Sequence, residues 1–353
     1  MRPRIKDFIR KMGSKGIDAM LVTCPHNISY LTGIRSRDSY LLVTPRKSLY
    51  LTDSRYIEEA ARDLAGAVQA VQYQPPIWKA VAEKARELDV SRVGFEERKL
   101  TVQSYRSLAG FRGGEETLIP AGGLVEELRL VKTPEEVRKI RKATGITMEA
   151  LRFIPGMLTP GRTELEIAGE LERFIRYKGA YSSSFDIIVA SGPNSSLPHH
   201  VTSGRKLAAN DLVYIDMGVD YEGYRSDLTR VFFLGKIATL IQRAYKVVTE
   251  AQEKAIRLIR PGARAADIDD CARRYISSRG FGGRFSHSLG HGVGLEVHEG
   301  PRISPGAETR LEEGMVFTVE PAVYIPKKFG IRVEDMVLVT RKGSEVLSGS
   351  LNK

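Results

Sequence analysis

The chain has 353 residues, of which 42% are hydrophobic, and 54 basic against 43 acidic side chains give a net charge of +11. This length is sufficient for two domains, each with its own core. The two cysteines, Cys24 and Cys271, are too few for a disulfide framework and predict a reducing, cytoplasmic setting. We expect no signal peptide and no membrane span. Because bases and acids are interspersed, the charge indicates a solvated surface rather than a nucleic-acid site.

The N-terminal part alternates between helical and extended patterns. Helical periodicity covers residues 4–15 and 54–64, and strand-like runs lie at 19–23, at 39–44 and around Leu49. This alternation predicts an α/β domain. Since no cluster of acids and histidines occurs here, we assign the domain to shape and assembly rather than to chemistry.

A domain junction is predicted near residue 125, which gives domains 1–125 and 126–353. Ala121-Gly122-Gly123 is a plausible break in the chain. Beyond it, Thr133-Pro134-Glu135-Glu136 has the residues of a capping box, with proline at the first helical position. The second domain therefore opens with a long helix.

The second domain contains an internal repeat. The segment 159–167 resembles 260–268, and each precedes an amphipathic helix. Further on, 211–218 resembles 313–321, and each of these strands carries an acid, Asp216 or Glu320. The repeat predicts two similar α+β halves that present acid-bearing strands to a shared central cleft.

Asp216 and Asp227 lie on two strands joined by the tight turn 220–223. With Tyr221 and Glu222 as the two loop residues, the aspartates become directly opposed neighbours, with Cβ atoms roughly 5 Å apart. Like charges at this separation destabilise a sheet. A divalent cation between them would remove the repulsion, so the pair predicts a metal site.

Two further acids and one histidine extend this pattern. Glu320 and Glu334 each lie in an apolar, strand-like run, and His291 lies among glycines that disfavour a helix and predict a loop or an irregular strand. Considered singly, each of these acids could simply be a solvent-exposed residue at the end of a strand. Four carboxylates and an imidazole together indicate a metal centre, because unpaired buried charge is costly. Oxygen-rich ligation favours a hard ion such as Mn²⁺.

The motifs of this half resemble those of the pita-bread metallopeptidases, the creatinase, aminopeptidase P and prolidase group. The resemblance rests on Tyr214–Gly218, Ser226–Arg230, Gly290–Glu299, Thr318–Pro321 and Arg332–Asp335. In the N-terminal domain, Asn27–Gly33 is similar to a motif of the proline-specific branch, which methionine aminopeptidases lack. The implied fold is α+β: a C-terminal pita-bread domain with a pseudo-twofold duplication, preceded by a smaller α/β creatinase-like domain.

The resemblance also implies a function and a set of roles. The expected enzyme is an Xaa-Pro dipeptidase or an Xaa-Pro aminopeptidase with two divalent ions bridged by hydroxide, Mn²⁺ first and Co²⁺ or Zn²⁺ as alternatives. All five ligand positions are filled, by Asp216, Asp227, His291, Glu320 and Glu334.

Other positions receive roles from the same resemblance. Glu320 is also the expected proton shuttle, and His199 and His298 are expected to assist catalysis, with the adjacent His200 as the alternative to His199. His287 and Arg302 are expected to shape the pocket and bind the substrate carboxylate. The resemblance further suggests a homodimer.

Two other functions remain as alternatives. The scaffold could hydrolyse a small non-peptide amide, since a fold does not fix its substrate. A non-catalytic relative that binds nucleic acid through its basic surface is less favoured, because the ligand set is intact.

Overall fold

The computed structural model describes residues 3–64, 66 and 68–351, and it divides the chain into two compact units, Met1–Arg129 and Leu130–Lys353. The first unit ends with a short helix, Leu124–Arg129, that contains the junction predicted near residue 125. Within the described residues, no helix is both long and apolar enough to cross a membrane.

The N-terminal unit is a six-stranded mixed sheet flanked by helices. Its helices are α1 (Pro3–Gly13), α2 (Pro25–Thr32), α3 (Ile57–Leu64), α4 (Ile77–Glu87), α5 (Val102–Arg112) and α6 (Leu124–Arg129). Its strands are β1 (Ala19–Val22), β2 (Ser39–Val43), β3 (Ser48–Thr52), β4 (Gln69–Gln72), β5 (Val93–Phe95) and β6 (Leu118–Pro120). The strand order is β4-β3-β2-β1-β5-β6. The predicted α/β pattern is confirmed.

The Asn27–Gly33 motif covers most of helix α2 and its C-cap residue Gly33. A buried carboxylate holds the start of this helix in place. Glu96 accepts hydrogen bonds from the amides of Thr23 and Cys24 and from Asn27 Nδ2 at 2.6–2.7 Å. The helix ends at Gly33, whose φ of 71° is the left-handed conformation that glycine adopts readily. The motif is therefore explained by local structure within this unit.

The C-terminal unit carries the remaining elements. Its helices are α7 (Pro134–Phe153), α8 (Glu164–Tyr177), α9 (Thr239–Arg257) and α10 (Ala265–Ile276). Its first strands are β7 (Ser182–Ser183), β8 (Ile188–Ser191), β9 (Leu212–Met217), β10 (Val219–Tyr221), β11 (Tyr224–Arg225) and β12 (Leu228–Phe233). The later strands are β13 (Gly290–Gly292), β14 (Glu299–Ile303), β15 (Val316–Val319), β16 (Ala322–Ile325), β17 (Phe329–Arg332), β18 (Asp335–Thr340) and β19 (Gly343–Val346). Helix α7 begins with the predicted capping box at Thr133 and Glu136.

The predicted duplication is visible in matching backbone hydrogen bonds. In the first half the amide of Gly161 donates to the carbonyl of Leu207 at 2.9 Å, and in the second half Gly262 donates to Leu311 at 2.8 Å. The isolated bridge between Thr163 and Lys206 has its counterpart between Arg264 and Arg310. Each bridge lies at the start of the second helix of its half, α8 or α10. The two halves therefore repeat one unit of structure.

The predicted strand register around the two aspartates is wrong. Asp216 pairs with Thr229 rather than with Asp227, and the loop residues are Glu222 and Gly223. Both have positive φ, 51° and 84°, as a two-residue type I′ turn requires. Glycine supplies this conformation at little cost, so Gly223 draws the turn one residue later than predicted. Asp227 precedes Thr229 by two residues and is therefore a diagonal neighbour of Asp216.

Candidate metal centre

The five predicted ligands form two overlapping clusters in the C-terminal unit. Asp216, Asp227 and Glu334 make one cluster, and His291, Glu320 and Glu334 make the other. Within each cluster the possible ligand atoms all lie within 4.8 Å of one another. Because Glu334 belongs to both clusters, the arrangement suits two adjacent cations that share one carboxylate.

The aspartates lie where the β9–β10 and β11–β12 segments pass close to each other. Asp216 is near the end of β9, and Asp227 lies between β11 and β12. A Cβ atom on Gly218 would lie 1.7 Å from the carbonyl oxygen of Ser226. Only glycine permits this approach, which brings the backbone beside Asp227 against the strand that carries Asp216.

The glutamates face each other across a second break in strand pairing. Val319 pairs with Asp335 on one side of the break, and Ala322 pairs with Arg332 on the other, in the same register. Continuing this register places Glu320 opposite Glu334. The break itself contains Pro321, which has no N–H to donate to a ladder.

His291 lies on the short strand β13, and the glycines around it allow neighbouring backbone to approach. Added Cβ atoms would lie 1.8 Å from the Thr318 carbonyl oxygen at Gly290 and 1.9 Å from the Gly300 carbonyl oxygen at Gly292. The Nε2 atom of His291 is 3.3 Å from Glu320 Oε1 and 3.6 Å from Asp227 Oδ2. The irregular strand predicted here is present, with a bulge after His291.

Without a cation, the ionised forms of the clustered carboxyl groups are disfavoured. Burial, followed by repulsion from the other acids, raises the pKa of Asp227 and of Glu334 well above their usual ranges. Burial likewise raises the pKa of Glu320 to about 8. Burial lowers the pKa of His291 to about 3, which keeps the imidazole neutral and able to act as a ligand. A positively charged occupant would relieve the repulsion among the carboxylates.

The donor set fits divalent cations. Asp216 Oδ1 is buried and has no hydrogen-bond partner among the residues that the structure describes. Such an atom is costly unless something binds it. Four carboxylates and one neutral imidazole are ligands of hard or borderline ions rather than of thiolate-seeking ones.

Sequence reasoning missed Arg332, which lies beside the cluster. Its guanidinium donates to Asp216 Oδ2, to the hydroxyl of Tyr324 at 2.6 Å and to the carbonyl of Pro198 at 3.0 Å. Its Nε donates to Thr229 Oγ1 at 3.2 Å, and that hydroxyl donates to Glu334 Oε2 at 2.8 Å. The sequence did contain a signal for Arg332, because a basic residue stands inside a strand-like apolar run, two positions before Glu334.

The structure separates the adjacent histidines 199 and 200. His200 is buried, and its Nε2 lies 2.9 Å from Glu164 Oε2 in a network of serine and asparagine donors. His199 is exposed, and electrostatic interaction with it contributes to lowering the pKa of both His287 and His298. Of this pair, His199 is therefore the histidine that acts electrostatically on His287 and His298, whereas His200 is bound to Glu164.

The other predicted residues lie beside members of the cluster. The rings of His298 and His291 are 4.1 Å apart, and His298 could also join Asp227 and His291 around an ion. His287 Nδ1 lies 3.9 Å from Glu320 Oε2. Arg302 is exposed on β14, opposite His291, and contributes to lowering the pKa of His298.

Comparison with known proteins identifies this arrangement. Residues 138–341 match metallopeptidase family M24, and residues 4–131 match the creatinase/prolidase N-terminal domain. The chain therefore belongs to metallopeptidase family M24, and the resemblance to the pita-bread peptidases is confirmed. Divalent metal ions are implied by this membership and agree with the clusters described above.

Individual relatives cover almost the whole chain. The Xaa-Pro dipeptidase of Pyrococcus horikoshii is 35% identical over 99% of this chain and 97% of its own. The structure of an Xaa-Pro dipeptidase from Bacillus anthracis superposes with a TM-score of 0.95 at 38% identity, covering 99% of this chain and 98% of that one. The X-Pro aminopeptidase of Thermotoga maritima gives 0.87 at 34% identity, with coverages of 96% and 97%.

Proposed function

We propose that this protein hydrolyses the bond between an N-terminal residue and proline. The single observation that carries the proposal is the pair of overlapping ligand clusters sharing Glu334, in a member of family M24. Relatives named Xaa-Pro dipeptidase, similar along their full length, support the proline specificity. An X-Pro aminopeptidase of similar structure makes that activity the second candidate.

Asp216, Asp227, His291, Glu320 and Glu334 would hold two divalent ions, which we propose to be Mn²⁺, with Co²⁺ and Zn²⁺ as alternatives. When bound, the ions would acidify a water molecule and polarise the scissile carbonyl. Oxygen-rich ligation supports Mn²⁺. The ions would also supply the positive charge that keeps Asp227, Glu320 and Glu334 ionised.

Glu320 is the proposed proton carrier. Its Oε1 accepts from Thr318 Oγ1 at 3.3 Å and lies 3.3 Å from His291 Nε2. It would take a proton from the attacking water and deliver it to the proline nitrogen as the peptide bond breaks.

His199 and His298 would stabilise the developing oxyanion, because both are exposed and the ring of His298 lies beside that of His291. His287, held by the hydroxyl of Tyr324 at 3.3 Å, would shape the proline pocket. Arg302 would pair with a substrate carboxylate.

Three broader features complete the proposal. The segment 1–125 would be a creatinase-like domain without a catalytic role, and 126–353 the catalytic domain. A homodimer is proposed from the family resemblance. The two free cysteines support a cytoplasmic location.

A comparison of Ala-Pro with Ala-Pro-Ala tests the reaction and the class of substrate. The chelator-stripped protein is assayed on both peptides before and after addition of Mn²⁺. Restored cleavage of Ala-Pro alone indicates a dipeptidase, and cleavage of the tripeptide indicates an aminopeptidase. Cleavage of neither peptide by the metal-loaded protein would contradict the proposal.

A further inference from the structure

A fully buried glutamine on α9 bridges the two chain segments that lead into Glu320 and Glu334. Gln252 lies on the side of α9 that packs against β15, β16 and β17. Its Nε2 donates to the carbonyl of Val319 at 2.8 Å and to the carbonyl of Val333 at 3.2 Å. One side-chain amide thus joins the two chain segments that flank the β16–β17 pair.

The two carbonyls belong to the residues directly before Glu320 and Glu334. They lie at the break between the β15–β18 and β16–β17 pairings, where the amide of Glu320 turns away to Leu289 and that of Glu334 to Thr229. Backbone pairing is therefore weakest where the glutamates must face each other. The Gln252 amide spans this break from the helix side.

The orientation of the amide follows from its partners. The Nε2 group of Gln252 must face the two carbonyl oxygens, because only it can donate hydrogen bonds to them and the Oε1 atom would repel both. The Oε1 atom is then buried with no hydrogen-bond partner among the described residues. An apolar side chain of the same length would fill the space without burying that oxygen, so packing alone does not account for glutamine here.

The other half of the domain has a related contact at the corresponding position. Thr147 is the fourteenth residue of α7, as Gln252 is of α9. The hydroxyls of Thr147 and Ser226 lie 2.8 Å apart, and Ser226 directly precedes Asp227. In both halves, therefore, the first helix reaches the residue before a predicted ligand.

We infer that Gln252 is a positioning residue that sets the separation between Glu320 and Glu334, and so the affinity of the cluster for its cations. The inference rests on the proposed metal ligands. Residues that orient ligands in this indirect way typically change metal affinity by about 10- to 100-fold when replaced.

Calorimetric titration of the chelator-stripped full-length protein with Mn²⁺ tests the inference. Gln252→Met, which retains length but cannot donate, is expected to bind Mn²⁺ about 10- to 100-fold more weakly than the wild type. The visible absorption of the Co²⁺-loaded variant should also differ, because it reports ligand geometry. Gln252→Asn, whose shorter amide cannot reach both carbonyls, serves as a second variant and should lose affinity in the same direction.

Val248→Ala is the matched control, one turn earlier on α9. Val248 is fully buried, and its side chain has no hydrogen-bonding atom. This variant should lose stability but keep the wild-type Mn²⁺ affinity and Co²⁺ spectrum. Wild-type affinity in the Gln252 variants, or an equal loss in Val248→Ala, would overturn the inference.

Glu334→Gln separates this inference from the proposed function. If Glu334→Gln weakens Mn²⁺ binding and the Gln252 variants do not, only the positioning role fails. If Glu334→Gln also binds Mn²⁺ like the wild type, the proposed ligand set fails.

Discussion

At the scale of single residues, the centre is a group of acidic side chains beside the buried guanidinium of Arg332. Arg332 is 3% exposed, contacts Asp216 directly and lies over the ring of Tyr214 at 4.8 Å. Burial alone would lower the pKa of Arg332, but neighbouring tyrosines and acids together raise it well above the ordinary value. Removing one partner of such a buried ion pair leaves an uncompensated buried charge. This destabilises the fold more than replacing both partners with apolar residues does.

Arg332→Met should therefore destabilise the metal-free protein by about 3–5 kcal/mol, because Asp216 loses its neutralising partner. Bound Mn²⁺ would replace part of the missing positive charge and reduce the loss. Urea unfolding with and without Mn²⁺ measures both values.

Arg230→Met is the matched control for this prediction. Arg230 is also buried, but its ion pair is with Asp335, and it contacts the predicted ligand Glu334 only at the backbone carbonyl, so it neutralises no predicted ligand. Mn²⁺ should not restore the stability of that variant. Equal rescue of the two variants would contradict the role given to Arg332.

The raised and lowered pKa values predict how the stability of the metal-free protein depends on pH. A carboxyl group with a raised folded-state pKa contributes stability that is lost as the pH rises, here from 4.5 to about 8 for Glu320. His287 and His291 have pKa values lowered from 6.5 to about 4 and about 3, so their contribution is lost only as the pH falls below 6.5. Between pH 6.5 and 8 the carboxyl groups dominate, because these histidines are already at least half deprotonated in the unfolded chain.

The metal-free protein should therefore lose about 1–2 kcal/mol of unfolding free energy between pH 6.5 and 8. The Mn²⁺-loaded protein should show no such loss, since metal binding favours the deprotonated ligands. Urea unfolding at the two pH values measures this. An identical pH dependence with and without Mn²⁺ would contradict the clustering of these groups around a cation.

At the scale of elements, breaks in strand pairing place the acids. Asp227 lies between β11 and β12, and Glu320 and Glu334 lie in the gap shared by β15, β16, β17 and β18. Gly218 permits the first break and Pro321 accompanies the second. Because the strand pairing is interrupted at these points, the acidic side chains do not follow the alternation of a regular strand and can turn toward one another.

Gly218→Ala should displace the aspartate-bearing strands, because its Cβ would lie 1.7 Å from the Ser226 carbonyl oxygen. We expect a loss of about 1–3 kcal/mol in stability together with weaker Mn²⁺ binding. Thermal unfolding and calorimetric titration measure the two effects.

Gly169→Ala provides the comparison for Gly218→Ala. An added Cβ at Gly169, within α8, meets no atom within 4 Å. This change should stabilise the helix by about 0.5–1 kcal/mol and leave Mn²⁺ binding unchanged. Normal Mn²⁺ binding by Gly218→Ala would show that this close approach does not place the ligands.

The sequence predicted these elements better than it predicted their register. Hydrophobic periodicity and the capping box at Thr133 located the strands and helices, but not the breaks at Asp227 and Glu334 that interrupt two of the predicted strands. The predicted register of Asp216 was wrong because the position of the turn depends on which residues adopt positive φ. These are Glu222 and Gly223, rather than the predicted loop residues Tyr221 and Glu222. Arg332 was missed because its partners, Asp216 and Tyr324, meet it only in the folded chain.

At the scale of the whole molecule, a duplicated α+β unit supplies two halves of one site. The first half contributes Asp216 and Asp227, and the second contributes His291, Glu320 and Glu334. The repeat was visible in the sequence because the turn at Gly161 recurs at Gly262 with the same backbone bonds. How closely the five side chains approach could not be read from the sequence, since it depends on packing between the two halves.

The most direct test of the account is Ala-Pro hydrolysis by the chelator-stripped protein as Mn²⁺ is added in measured equivalents, with Glu320→Gln assayed in parallel. We predict activity that rises to a plateau at two Mn²⁺ per chain, and almost no turnover by Glu320→Gln despite a preserved fold. Full activity without added metal, or no hydrolysis with two ions bound, would contradict it.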